Sequence, residues 1–199
     1  MENSRVNVSV LTRLALLSAV IFLLAFTPVG YLRVGVLSIT FLPIPVAVGA
    51  ILMGPGAGAF LGGIFGITSF MQCFGLDPFG SALFAINPLY TFILTIIPRI
   101  IMGWLAGIAF KSLYRLDKTE VFSFVGASLV APLVNTVLVT GGIILLFGSS
   151  ELILGLRGGA SLISFIVALV GINGVMEVFS TMIIATAICK VTYRLTVKA

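Results

Sequence analysis

Residues 81–110 read SALFAINPLYTFILTIIPRIIMGWLAGIAF, and the only charged side chain in this stretch is Arg99. About 20 apolar residues in a helix are enough to cross the roughly 30 Å hydrocarbon core of a bilayer. The rest of the chain has the same character: of 199 residues, 60% are hydrophobic and 9% are charged. Typical soluble domains carry about 25% charged residues. The sequence therefore predicts an all-α integral membrane protein.

Hydropathy and Pro/Gly punctuation predict one membrane domain over residues 1–199, a bundle of six transmembrane helices. The predicted spans are about 11–29, 37–53, 57–74, 84–113, 121–147 and 162–190. The second span contains Pro43 and Pro45, which would break a regular helix, so we expect it to be short or kinked. The segment GYLRVGVLSI before it alternates like a strand, and we interpret it as an extended outer loop over the membrane surface.

Basic residues orient the predicted bundle, because cytoplasmic ends of spans keep positive charge. With the N-terminus inside, only Arg33 and Arg157 fall on the outer side. The residues on the cytoplasmic side are then Arg5, Arg13, Lys111, Arg115, Lys118, Lys190, Arg194 and Lys198. Both termini are therefore predicted to be cytoplasmic in a multi-pass protein.

Several functional classes are excluded by what the sequence lacks. There is no histidine, whereas metalloproteases and nickel or cobalt sites depend on imidazole. We found no Ser/Lys or paired-Asp arrangement at matching depth and no nucleotide-binding motif, so we predict no catalytic residues, no cofactor and no metal. The basic residues flank spans, which indicates topology and lipid headgroups rather than nucleic acid as their partners.

Three predicted spans carry polar side chains near their centres. Glu177 follows Asn173 by about one turn in the sixth span, Arg99 lies at similar depth in the fourth, and Asn135 lies in the fifth. One interpretation is structural: Arg99 pairs with Glu177, or caps carbonyl groups that Pro98 leaves free. The other is a ligand pocket opening outward. Polar clusters on three spans favour a cavity, and both interpretations can hold together.

Small residues recur at helical spacing in two other spans. Gly58, Gly62 and Gly66 follow one another every fourth residue, which predicts close packing of the third span inside the bundle. Ala15 and Ala19 form a similar pair in the first span. On its own that pair is a weak signal, since an intramolecular contact would also explain it.

Together these features resemble the substrate-binding (S) components of energy-coupling factor (ECF) vitamin transporters. The resemblance covers nearly the whole chain. Its most specific parts are Ser38-Ile39-Thr40 followed by Ile44-Pro45-Val46, the Gly54-Pro55 turn, Pro98-Arg99, and Asn173-Gly174 with Glu177.

The resemblance implies a mechanism as well as a fold. Such a protein of the bacterial plasma membrane binds one vitamin in an outward-facing pocket formed by spans four to six. It then associates with a membrane coupling subunit and two cytoplasmic ATPases, and topples in the membrane to release its ligand inside. Carried over to this chain, Ala15 and Ala19 would form the close-packing surface for the coupling subunit.

The tract SITFLPIPV and the turn GPGAG look most like the pantothenate type. Arg99 or Arg33 would then meet the ligand's carboxylate, and Asn87, Asn135 and Asn173 would meet its hydroxyls and amide. Glu177 would orient Arg99 and a polar edge of the ligand. The alternatives are an S component for riboflavin, folate, cobalamin or pyridoxine, a self-sufficient facilitator of small solutes, and a structural assembly subunit.

Overall fold

The computed structural model describes residues 8–28, 30–34, 37–116 and 121–197; for 31–34, 37–39, 162–163, 168–173 and 194–197 this covers the backbone alone. Within these residues the chain is helical except for one hairpin. In chain order the elements are α1 (Val8–Phe26), β1 (Tyr31–Val34), β2 (Leu37–Thr40), α2 (Pro43–Met53), α3 (Pro55–Gln72), α4 (Pro78–Ile86), α5 (Pro88–Leu116), α6 (Val121–Phe147), α7 (Glu151–Arg157) and α8 (Leu162–Val197).

Helices long and apolar enough to cross a membrane are present, as the composition predicts. Among the described residues there are four: α1, α5, α6 and the part of α8 from Gly174 to Tyr193. Their outer faces expose large apolar side chains, such as Leu145 at 86% and Val137 at 69% on α6. Such a surface is stable against lipid tails and not against water.

Two predicted span boundaries differ from the observed helices for local reasons. The predicted fourth span began at residue 84, but the helix breaks at Asn87, where α4 ends and α5 begins. Asn87 is extended, with φ −156° and ψ 104°, because the residue before a proline is disfavoured in the α region. Helix α8, which corresponds to the predicted sixth span, continues seven residues past the predicted end at 190, to Val197.

The second predicted span is wrong over residues 37–42. Instead of a loop and then a helix, β1 and β2 pair antiparallel, with Tyr31 opposite Thr40 and Val34 opposite Leu37. Helix α2 then begins at Pro43. Pro43 and Pro45 do not break it, because they lie in its first turn, where the backbone N–H groups have no intrahelical partner.

Helix α2 lies at the centre of the molecule. Nine of its eleven residues are buried, and it packs against α1, α3, α5, α6 and α8. Eleven residues rise only about 16 Å, roughly half the hydrocarbon core. It joins α3 through Gly54 alone, whose φ of 93° is a conformation that favours glycine.

Helices α3 and α5 meet backbone to backbone. A Cβ atom added to Gly62 would lie 2.1 Å from the Arg99 carbonyl oxygen, and one added to Gly58 would lie 2.2 Å from the Gly103 oxygen. A Cβ on Gly66 would lie 2.7 Å from Ile96 Cα. The prediction that these glycines serve close packing within the bundle is confirmed, and this contact sets the position of the Arg99 backbone.

Candidate functional site

A polar cavity lies between α3, α4, α5, α6 and α8 and has a volume of about 210 Å³. This is somewhat below the roughly 300–1,000 Å³ of sites for drug-sized ligands, so it suits a small metabolite. Its polar lining residues are Thr40, Ser69, Gln72, Asp77, Thr91, Thr95, Arg99, Asn135, Thr136, Thr140 and Glu177. Its apolar ones include Phe65, Phe79, Leu83, Leu94, Val139 and Ile143.

Arg99 provides the positive charge among the described residues of the cavity. Pro98 has no backbone N–H, so it cannot bond the carbonyl of Leu94 four residues earlier. The Arg99 Nη1 atom donates to that carbonyl oxygen at 2.8 Å, and the Arg99 Cζ atom lies 5.4 Å from the centre of the Phe65 ring. The predicted capping of a carbonyl freed by Pro98 is thus observed, and Arg99 lines the cavity as well.

Asn135 and Glu177 face each other from α6 and α8 at the same cavity. The Asn135 amide and the Arg99 charge both lie close enough to act on the Glu177 carboxylate and favour its ionised form. Both side chains are 7% exposed. The cavity therefore places a cation, an anion and an amide from three helices within one small space, where charged groups interact strongly.

Hydroxyl groups extend this polar wall along α5. Thr91 Oγ1 donates to the Asn87 carbonyl oxygen at 2.9 Å, and Thr95 Oγ1 donates to the Thr91 carbonyl oxygen at 2.8 Å. Because each hydroxyl donates its hydrogen bond to a backbone carbonyl, the lone pairs of its oxygen can accept hydrogen bonds from a ligand.

Two polar side chains of the cavity lining also hold the fold together. Gln72 Nε2, at the end of α3, donates to the Ala25 carbonyl oxygen of α1 at 2.5 Å. The Asp77 Oδ2 atom accepts from the Gly80 backbone N–H at 2.8 Å and so caps α4. These contacts tie the cavity wall to the ends of α1 and α4.

The predicted site residues separate into three groups. Arg99, Asn135 and Glu177 come together at the cavity. Asn87 lies outside its lining: the Asn87 Oδ1 atom accepts from the Tyr90 backbone N–H at 3.1 Å and caps the start of α5. The side chains of Arg33 and Asn173 are outside the described residues, although the neighbouring Gly174 lines the cavity.

Ala15 and Ala19, the predicted contact for a coupling subunit, are both exposed on α1. The exposed face of that helix also carries Leu11, Phe22 and Phe26. The bundle itself packs against the opposite face, through Ile21 and Ala25. An intramolecular contact therefore does not account for the alanine pair in the described part of the chain.

Sequence reasoning missed the contribution of α3 to the cavity. Phe65, Ser69 and Gln72 line it, but the third span was interpreted only through its glycines. The signal was present: Thr68, Ser69 and Gln72 interrupt an apolar run near the end of that span. Among the described residues, no group of three or more His, Cys, Asp or Glu could hold a metal ion.

Comparison of the sequence with known proteins identifies a family and two similar proteins. A sequence model of the family described as "ECF transporter, substrate-specific component" matches residues 9–193. The pantothenate transporter PanT of Leuconostoc mesenteroides is 30% identical over 200 residues, covering 94% of this chain and 93% of that protein. The pantothenic acid transporter PanT of Lactococcus lactis is 31% identical over 158 residues, covering 75% and 74%.

The family model and the relative from Leuconostoc mesenteroides cover almost the whole chain, and the residues matched by the family model include every helix that contributes to the cavity. The family is one of transporter components and not a class of enzymes, and its membership agrees with a multi-pass protein of the bacterial plasma membrane. The chain therefore belongs to the family of substrate-specific components of ECF transporters.

Proposed function

We propose that this protein captures pantothenate outside the cell and delivers it through ECF coupling and ATPase subunits. Family membership implies a vitamin ligand and those partner modules. The choice of pantothenate is supported by the relatives named as pantothenate transporters and by the chemistry of the cavity.

The observation that carries this proposal is the Arg99 guanidinium in a cavity that is also lined by amides, hydroxyls, apolar side chains and the carboxylates of Asp77 and Glu177. Pantothenate has one carboxylate, one amide, two hydroxyls and a branched apolar centre. A guanidinium binds a carboxylate through charge-assisted hydrogen bonds. Asn135, Gln72 and the threonine hydroxyls offer donors and acceptors for the remaining polar groups.

We further propose that the bundle has six spans and cytoplasmic termini, with α1, α2, α3, α5, α6 and α8 as the spanning helices. The distribution of Lys and Arg supports this orientation. In it, the cavity lies in the outer half, because its lining includes Thr40 at the end of the hairpin, four residues between 73 and 80, and Ile143 near the end of α6. Ligand would then enter from outside. The short α2 would reach the outer surface together with the hairpin that precedes it.

Ala15 and Ala19 would form the surface that meets the coupling subunit. Small residues four apart let another helix approach closely. Their exposure on α1, facing away from the bundle, supports this role.

The test is to identify what the purified protein carries and binds. Small molecules released from detergent-purified protein would be identified by mass spectrometry, followed by calorimetric titration with pantothenate, riboflavin, folate, cobalamin and pyridoxine. We expect saturable one-to-one binding of pantothenate. Binding of a different vitamin would keep the class and reject the substrate.

A second experiment separates an S component from a facilitator. Radiolabelled pantothenate uptake would be measured in cells that express the chain with or without the coupling and ATPase subunits. We expect uptake only with them. Uptake by the chain alone would reject the proposed delivery route, and failure of a well-folded sample to bind any vitamin would reject ligand capture.

A further inference from the structure

The charged side chains in the described part of the cavity lining do not balance for an anionic ligand. Among the described lining residues, Arg99 is the one cation and Asp77 and Glu177 are the two anions, so their net charge is −1 when all are ionised. A carboxylate ligand adds another negative charge. An uncompensated charge in a site surrounded by protein and lipid is costly. Among the charged groups that the structure describes, a carboxylate ligand would therefore lack one compensating positive charge.

Three buried oxygen atoms on α6 and α8 have no hydrogen-bond partner in the described part of the chain: Glu177 Oε1, Asn135 Oδ1 and Thr181 Oγ1. Their side chains are at least nine-tenths buried, with exposures of 7%, 7% and 0%. Buried polar atoms in proteins are nearly always paired, so a cluster of unpaired oxygens requires an explanation.

These oxygens belong to one region of the α6–α8 interface. Asn135 and Glu177 both line the cavity, and the Asn135 amide lies close enough to act on the Glu177 carboxylate. Thr181 follows Glu177 by four residues in α8, so the two lie on the same helix face one turn apart. That face is buried against the bundle at both positions.

We propose that Glu177, Asn135 and Thr181 bind a monovalent metal cation of the Na⁺ type, which balances the charge of the ligand in the cavity. Hard cations prefer carboxylate, carbonyl and hydroxyl oxygens. One carboxylate with two neutral oxygens matches a cation of charge +1. The positive charge of Arg99 nearby disfavours a cation with a second positive charge. The role in ligand binding rests on the proposed function, whereas the cation site itself does not.

The first test uses no vitamin. Thermal unfolding of the purified protein would be measured in NaCl, KCl and N-methyl-D-glucamine chloride at equal ionic strength. A cation that binds only the folded state raises the unfolding temperature in a concentration-dependent way. We expect this stabilisation with Na⁺ or K⁺ and not with the organic cation.

Matched variants locate the effect. Glu177→Gln should abolish the stabilisation and Thr181→Val should reduce it. Glu151→Gln makes the same charge change on exposed α7, and Thr186→Val makes the same hydroxyl change at a threonine that bonds Ser128 instead; both should keep the effect. A cation effect that survives in Glu177→Gln, or is missing from the wild type, would overturn the proposal.

The second test titrates pantothenate in the same salts. We expect the wild type to bind at least about tenfold tighter with the metal cation present, and Glu177→Gln to bind with the same affinity in every salt. Affinity that responds to pH but not to Na⁺ or K⁺ would overturn the proposal, because a proton would then supply the charge. If pantothenate binds in no salt while the cation still stabilises the protein, the cation site stands and the proposed function fails.

Discussion

At the scale of single residues, Arg99 is ordered by its own helix before any ligand arrives. The carbonyl of Leu94 is available because Pro98 cannot bond it, and the Arg99 guanidinium both donates to that carbonyl and lies over the Phe65 ring. Fixing a long side chain in advance lowers the entropy that ligand binding must spend. The same proline that disturbs α5 thus prepares the proposed carboxylate site.

Arg99→Ala should therefore weaken pantothenate binding by at least about tenfold. The expected loss is about 1.5–3 kcal/mol, the range for hydrogen bonds to charged groups. Isothermal titration of monodisperse protein measures it, with Arg157→Ala on α7, outside the cavity lining, as the matched control. Full affinity in a well-folded Arg99→Ala variant would remove Arg99 from the ligand site.

The residue types and their positions near the centres of predicted spans were enough to identify Arg99, Asn135 and Glu177 as candidates for the cavity. A polar group inside a membrane is energetically costly and must contact protein, water or ligand. The same reasoning misplaced Asn87, whose side chain caps a helix at a boundary that Pro88 creates. It also overlooked Gln72, because a residue at the end of a span can equally well face water.

At the scale of elements, the contact between α3 and α5 is a glycine interface in which each backbone fills the space left by a missing side chain. Gly58, Gly62 and Gly66 face α5, while Gly103 and Gly107 face α3 and its start at Pro55. The interface includes the carbonyl of Arg99, so the depth of the guanidinium depends on how closely the two helices approach.

Gly62→Ala should destabilise the protein and displace Arg99. Its Cβ atom would lie 2.1 Å from a backbone oxygen, whereas Gly63→Ala places a Cβ atom 3.7 Å from the Ile100 side chain, an ordinary contact. Overpacking of this kind costs about 1–3 kcal/mol. We expect Gly62→Ala to lower the thermal unfolding midpoint by about 5 °C and Gly63→Ala to change it little. Equal midpoints for the two variants would contradict this packing.

Helix α1 is divided between a face that packs on the bundle and a face that does not. Ala15→Trp or Ala19→Trp should abolish pantothenate uptake in cells that contain the coupling subunits, while pantothenate binding stays within about twofold. The added indole would prevent close approach of a partner helix without reaching the cavity. Ala187→Trp, the same change at an exposed position of α8, is the control and should support uptake. Loss of binding in the α1 variants would contradict the assignment.

At the scale of the whole molecule, polarity is arranged opposite to that of a soluble protein. Large apolar side chains cover the outside, and the polar groups of α3, α5, α6 and α8 converge on an internal cavity. In the proposed orientation this cavity is displaced toward the outer end of the bundle. That displacement suits a subunit that collects its ligand from outside.

The proposed orientation can be tested with single cysteines in a variant carrying Cys73→Ala and Cys189→Ala. Ser149→Cys lies in the turn after α6, and Ser112→Cys lies near the end of α5; both positions are exposed. We expect a membrane-impermeant maleimide to label Ser149→Cys in intact cells and Ser112→Cys only after permeabilisation. The reverse pattern would invert the proposed topology.

The sequence by itself determined the class of protein and its long helices, because hydrophobic length and positive-charge placement are additive properties of a segment. Helix α6, for example, has the bounds 121–147 predicted for the fifth span. Only the tertiary structure decided that residues 37–40 pair as a strand, that Asn87 serves a helix end, and that Gln72 joins Arg99, Asn135 and Glu177 at one cavity. Those outcomes depend on which helices approach and how closely, and the glycine contact between α3 and α5 sets that distance for Arg99.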